Sequence, residues 1–266
     1  MINTREVILD ALMEILEKGQ YSHLVMQGVL TKYGYLEKQE RSFIKRVCEG
    51  TIEQKIRLDY VIDQFSKTKV KKMKPLIRTL MRMAVYQILF MDAVPDSAVC
   101  NESVKLATKR GFGPLKGFVN GVLRTIAREK ETIKYPEREK DAVSYLSVRY
   151  SMPEEIIHLW QAQYGEVQTE QMLEALLEKR PLTIRISEAL SEAEKETLIT
   201  QMREEGMDVA PTELTYMYAI FGMDRVSTIP GYEQGQIFVQ DLGSAMVVET
   251  AGIREGDTVI DVCAAP

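Results

Sequence analysis

Cysteine and histidine are scarce: the 266 residues hold three of the first and two of the second. Cys48, Cys100 and Cys263 are widely separated and odd in number, which argues against a disulfide framework and for a reducing, cytoplasmic setting. Neither His23 nor His158 has a cysteine or second histidine nearby, so no zinc site is expected. No apolar run approaches the roughly 20 residues that a membrane-spanning helix needs. The first six residues, Met1 to Glu6, lack the basic-then-apolar pattern of a secretion signal. Strand signals are missing as well from the first half, where nothing before residue 135 calls for one.

What the sequence does have is charge, unevenly placed. Hydrophobic residues make up 45% and charged residues 27%, ordinary for a globular protein. Residues 1–134 carry 24 Lys and Arg against 15 Asp and Glu, a net of +9, whereas residues 135–266 carry 10 against 24, a net of −14. A basic first half points to a polyanionic partner. The plainer alternative is that opposite charges dock the two halves together.

The first half reads as helices throughout. Arg5 to Lys18 has Val7, Ile8, Leu12, Ile15 and Leu16 at helical spacing, and Gly19 ends it. His23 to Tyr33 is less regular. Lys38 to Leu58 carries Phe43, Ile44, Val47, Thr51, Ile52 and Ile56 on one side, and Asp59 to Ser66 begins another helix. Lys67 to Lys74 then packs five lysines into eight residues. Pro75 opens a helix that is apolar on most faces to Met91, which suits the middle of a bundle, with Arg78 and Arg82 marking its wet side. Ala98 to Arg110 and Leu115 to Lys130 complete the set. Gly121, inside the last of these, is expected to permit close helix packing, since a mid-helix glycine costs roughly 1 kcal/mol against alanine.

The charged stretch 131–140 reads as a linker. Helices follow over Asp141–Arg149, Pro153–Tyr164 and Glu166–Glu178. From Pro181 the pattern alternates like a strand. Ser191 and Glu194 form a capping box ahead of a helix to Glu205. Short strands are expected at Met207–Ala210, Tyr216–Phe221 and Ile237–Val239, a helix from Asp241 to Ala251, and a buried strand through Val259, Ile260 and Val262.

Several runs are similar to known families. Glu40-Arg41-Ser42-Phe43 leading to Gly50-Thr51, Ala98 to Val104 after a Pro-containing turn, and Phe118-Val119-Asn120-Gly121-Val122-Leu123-Arg124 resemble NusB-like RNA-binding domains. The order Val239 to Ala245, then Gly256 to Asp261, then Val262-Cys263-Ala264-Ala265-Pro266 resembles the start of the catalytic domain of S-adenosylmethionine-dependent RNA cytosine-5 methyltransferases. Tyr150 to Glu154, Trp160, Tyr164-Gly165 and Arg180 to Arg185 fit the segment between them. Together the arrangement resembles the bacterial 16S ribosomal RNA cytosine-5 methyltransferases of the RsmB (Sun/Fmu) family.

The resemblance implies a multidomain fold: an all-α NusB-like bundle at 1–134, a helical connector at 135–178, a small α+β module at 179–235, and at 236–266 the first helix and strand of a Rossmann-like α/β methyltransferase domain. It implies S-adenosyl-L-methionine as cofactor, with Cys263, Ala264, Ala265 and Pro266 at the loop that wraps it. Small residues there let backbone N–H groups approach a ligand. Family chemistry uses a thiolate that adds to C6 of cytosine; the matching cysteine lies beyond this stretch. Cys263 is therefore expected to be a packed small residue, and Cys48 and Cys100 buried hydrophobes. The sequence is expected to be truncated at its C-terminus and inactive alone.

The expected partner is small-subunit ribosomal RNA, with no metal and no membrane, and the protein is expected to be a cytoplasmic monomer. Lys67, Lys69, Lys71, Lys72 and Lys74, with Arg41, Lys45, Arg46, Lys109 and Arg110, are candidates for phosphate contacts; the plainer reading of any one of them is a solvated surface. Phe112 suits turn packing better than base stacking. The alternative function is a non-enzymatic NusB-like RNA-binding module acting in transcription antitermination, which has no need of the residues after 135.

Overall fold

The computed structural model describes residues 2–178, 180–223 and 226–262. They divide into two compact units, Met1–Leu177 and Glu178–Pro266.

The first unit is helical. Its elements are α1 (Thr4–Leu16), α2 (Ser22–Lys32), α3 (Lys38–Glu53), α4 (Lys55–Phe65), α5 (Pro75–Phe90), α6 (Asp96–Ala107), α7 (Lys116–Glu129), α8 (Ala142–Tyr150) and α9 (Glu154–Leu177). Local chemistry sets the ends. The Asn3 side chain accepts from the Glu6 amide to start α1, and Glu37 with Glu40 forms a capping box on α3. Pro75 sits in the first turn of α5. Gly165, at φ 79°, breaks α9 between the two helices expected from the sequence.

The apolar helix lies where its pattern put it. Residues of α5 from Ile77 to Ile88 are buried against α1, α3, α4, α6 and α7. Close packing needs a glycine at one point: a Cβ on Gly50 of α3 would lie 2.1 Å from the Tyr86 ring of α5. The expected wet side of α5 is wet only at Arg78, whose side chain is 27% exposed. Arg82, 7% exposed at its side chain, pairs with Asp59 at 2.6 Å. Arg78 pairs with the buried carboxylate of Glu17, which also accepts from Thr79 at 2.9 Å. Arginine stems bring apolar length into a core, and the acids following α1 and on α4 neutralise the heads.

The long helix expected over 38–58 is two, broken at Gln54 (φ −90°, ψ 12°). Neither glycine nor proline marks the break. It is stabilised from a distance, because the Ile56 amide, freed at the start of α4, donates to Ser151 Oγ at 3.1 Å. Ser151 itself takes a left-handed conformation (φ 54°) at the end of α8.

The stretch expected to be a linker is fastened along α4. The Gln64 side chain donates to Lys134 O at 2.8 Å and accepts from Lys134 N at 3.0 Å. Tyr135 stacks on Tyr60 with centroids 6.4 Å apart. The Arg57 guanidinium lies 5.0 Å from the Tyr135 ring and 5.1 Å from Phe90. Aromatic, amide and guanidinium side chains together hold this segment, and Arg138 adds an ion pair to Glu170 at 2.7 Å.

The second unit is a four-stranded antiparallel sheet with a helix against it. Strands β1 (Leu182–Ile186), β2 (Asp208–Pro211), β3 (Met217–Phe221) and β4 (Ile237–Val239) lie in the order β2-β3-β1-β4. Helix α10 (Glu192–Glu204), capped by Ser191 and Glu194 as the sequence indicated, closes one face through Leu198 and Met202 onto Ile184, Ile186, Val209, Ile220 and Ile237. β4 pairs with β1, so the sheet continues past residue 235. Helix α11 (Leu242–Ala251) follows, started by the Asp241 side chain on the Gly243 amide at 2.9 Å.

The strand expected through Val259, Ile260 and Val262 does not form. These residues are 57%, 80% and 89% exposed and have no strand partner among the described residues. An isolated extended segment has nothing to offset the entropy of ordering it. A Rossmann-like sheet is therefore not present among the described residues; the sheet that is there is antiparallel.

Candidate nucleic-acid interface

The basic residues singled out in the sequence fall into two groups with opposite circumstances. Lys109 and Arg110 sit in a wide turn (Thr108–Phe112) after α6, closed by Gly111 at φ 83°. Both are taken up by α1: Lys109 Nζ is 2.6 Å from Glu6, and Arg110 lies 3.3 Å from Glu6 and 2.6 Å from Asp10. The hydrogen bond from Lys109 is the main reason the Glu6 carboxyl is held below its usual range, and that to Asp10 raises Arg110 above its own. Phe112 packs against the core of the first unit, as expected.

Arg46 donates to the Phe90 carbonyl at 3.1 Å, and Lys45 stands 3.9 Å from Glu49. Arg41 donates to the Leu36 carbonyl at 2.5 Å. These three are therefore engaged on the surface of α3.

The 67–74 segment is different. Val70 and Met73 are buried, while Lys67, Lys69, Lys71, Lys72 and Lys74 all point outward. The backbone is held firmly. Asp63 accepts the Val70 amide at 2.6 Å, Ser66 Oγ bonds both the amide and the carbonyl of Thr68, and Val70–Lys72 closes into a 3-10 turn. Lys69 reaches the Asp63 carbonyl at 2.9 Å. Among the described residues, Lys67, Lys71, Lys72 and Lys74 have no acidic partner. A fixed backbone thus presents unneutralised ammonium groups, which is what a phosphate contact requires.

Beside this segment lies a groove of about 490 Å³, lined by Phe65, Lys67, Thr68, Gly117, Phe118, Gly121, Val122 and Thr125. Gly121 was expected to allow close helix packing, but a Cβ there, or on Gly117, would meet nothing within 4 Å. Both glycines are exposed on the groove side of α7. Reasoning from the sequence missed this second wall. The available signal was an absence: no Asp or Glu occurs between Asp63 and Asp92 or between Glu102 and Glu129, and these two stretches supply both walls.

Cys48 and Cys100 are buried thiols, as expected. Burial, helped by Glu49, pushes Cys48 up to about 12, and burial raises Cys100 too. Both thiols are shut away from solvent. Cys263, Ala264, Ala265 and Pro266 lie outside the described residues. No helix among those described is long and apolar enough to cross a membrane.

Comparison with known proteins gives three findings. Residues 2–128 match the NusB family. Over 99% of its length the protein is 30% identical to a Bacillus subtilis protein named probable ribosomal RNA small subunit methyltransferase B, of which it covers 58%; a Synechocystis protein of the same name is 27% identical over the full length, with 59% of it covered. The crystal structure of PH0851 superposes on all of the protein with a TM-score of 0.71 at 20% identity, 59% of PH0851 being covered, which shows a shared fold. The 266 residues thus span somewhat under two thirds of the curated relatives they match.

Proposed function

We infer that this protein belongs to the ribosomal RNA small subunit methyltransferase B family and is the RNA-binding and pre-catalytic part of an S-adenosylmethionine-dependent 16S rRNA (cytosine-C5)-methyltransferase. The observation that carries this reading is similarity along the full length, not only along the NusB-like unit. An antitermination module needs only the first unit, whereas the relatives align through residues 178–266 as well.

In this reading residues 1–134 hold ribosomal RNA through the basic surface, 135–178 connect, 179–235 together with β4 form the small module, and the residues after β4 begin the methyltransferase domain. The cofactor supplies the methyl group. The described residues do not fit it: Asp257 to Val262 are exposed and in no strand, and no step is assigned through it. Cys263 to Pro266 remain the proposed first residues of its loop. With Cys48 and Cys100 buried, the thiolate for C6 is assigned to the part of the relatives that these 266 residues do not reach.

The test uses the 266-residue protein in two assays. Affinity for small-subunit rRNA should fall steeply between low and moderate salt, and calorimetry should show no micromolar binding of S-adenosylmethionine. Salt-independent RNA affinity would overturn the RNA reading, and micromolar cofactor binding the division of labour.

A further inference from the structure

We propose that the groove between the 67–74 segment and the Gly117–Gly121 side of α7 is the track for a single strand of RNA. The proposal rests on the RNA-binding reading above and assigns it a place. The remaining basic groups named from the sequence then serve the fold or the general field.

Charge carries the argument first. Both walls come from stretches without one acidic residue, Gln64 to Met91 and Ser103 to Arg128. Lys67 lines the groove, and Lys71, Lys72 and Lys74 follow it in the same segment; all four are exposed without acidic partners among the described residues. The second wall belongs to α7, which also carries Lys116 and Arg124, and Arg124 bonds the neutral side chains of Asn120 and Asn101. A protein surface this one-sided stays unneutralised until a polyanion supplies the counter-charge.

Shape is the second argument. Phe65, Phe118 and Val122 are half-buried and give the groove an apolar floor. Sugars and base faces rest on such a floor while phosphates face the lysines, the division of contacts found in single-strand binding. The exposed glycines bring the open space a strand needs: they weaken the helix by their backbone freedom and gain no internal contact in return.

The experiment measures binding of a fluorescein-labelled, mixed-sequence single-stranded RNA of roughly 12 nucleotides by anisotropy across a salt series, with thermal unfolding of each variant. The variant Gly117→Ala/Gly121→Ala is expected to melt about 2–4 °C higher and to bind about tenfold more weakly. The variant Lys67→Ala/Lys71→Ala/Lys72→Ala should bind at least tenfold more weakly, its log–log salt slope shallower by about 2. Lys109→Ala/Arg110→Ala should stay within twofold of the parent.

A glycine variant that is more stable yet binds RNA as the parent does overturns the groove while leaving the RNA reading intact. A parent protein that binds no RNA overturns both. If the glycine variant instead unfolds, ultraviolet cross-linking of the same RNA to the parent decides: cross-links in 65–74 and 117–125 support the track, and cross-links confined elsewhere overturn it.

Discussion

Helices α5 and α11 are both apolar in sequence and end in opposite situations. Of the sixteen residues of α5, eleven are buried; of the ten in α11, only Ala245 is. Met246, Val247 and Val248 of α11 stand 48%, 68% and 53% exposed. Apolar composition states a demand for burial, and neighbours decide whether it is met. The first unit meets it with five helices around α5, whereas the core of the second unit lies between the sheet and α10 and leaves α11 outside.

The sharpest way to break this contrast is to truncate one residue on each helix. Leu80→Ala in α5, fully buried, should destabilise the first unit by about 3 kcal/mol in urea unfolding. A loss below about 1 kcal/mol would mean that the core around α5 collapses readily into the gap.

The Glu17 cluster should give the next largest effect, and one that depends on pH. Burial pushes the Glu17 carboxyl up, but Arg78, Thr79 and Arg82 together outweigh it and leave it below its ordinary value of 4.5. A lowered folded-state value means the stability it lends is complete above the unfolded value and is lost as pH falls through the folded one. Glu17→Gln should therefore cost about 2 kcal/mol at neutral pH, since it leaves arginine without its partner. It should also flatten the acid limb below pH 4.5. An unchanged acid limb would assign that transition to other carboxylates.

Smaller still, Ser191→Ala removes the cap of α10 and should lower stability of the second unit by about 1 kcal/mol in thermal melts. Last, Val247→Ser on α11 should change stability by under about 0.5 kcal/mol. A loss comparable to that of Leu80→Ala would show that α11 has a packing partner after all.

The same contrast explains what could be read from the sequence. Helices with local signals were legible: the capping box at Ser191, Pro75 before an apolar run, and Gly165 dividing α9. Features fixed by distant partners were not. The break at Gln54 depends on Ser151, whose hydroxyl accepts from an amide 95 residues away, and the buried state of Arg82 depends on Asp59 of another helix. The run Val259 to Val262 has the composition of a strand and lacks, among the described residues, the neighbour that would make it one. At the interface, the lysines of 67–74 were visible as a cluster. Their separation from Lys109 and Arg110 was not, because it rests on where Glu6 and Asp10 of α1 lie. Gly117 and Gly121 showed only as helix weakeners until the space around them was known.

The clasp between Gln64 and Lys134 has a consequence in time rather than in space. One side-chain amide supplies both bonds that a neighbouring strand would supply, so the Lys134 N–H is closed off by α4 although its surroundings are wet and charged. Its exchange with deuterated solvent is then governed by opening at the end of α4, not by the rapid fluctuation of a tether. What reads as a flexible joint keeps the clock of a helix.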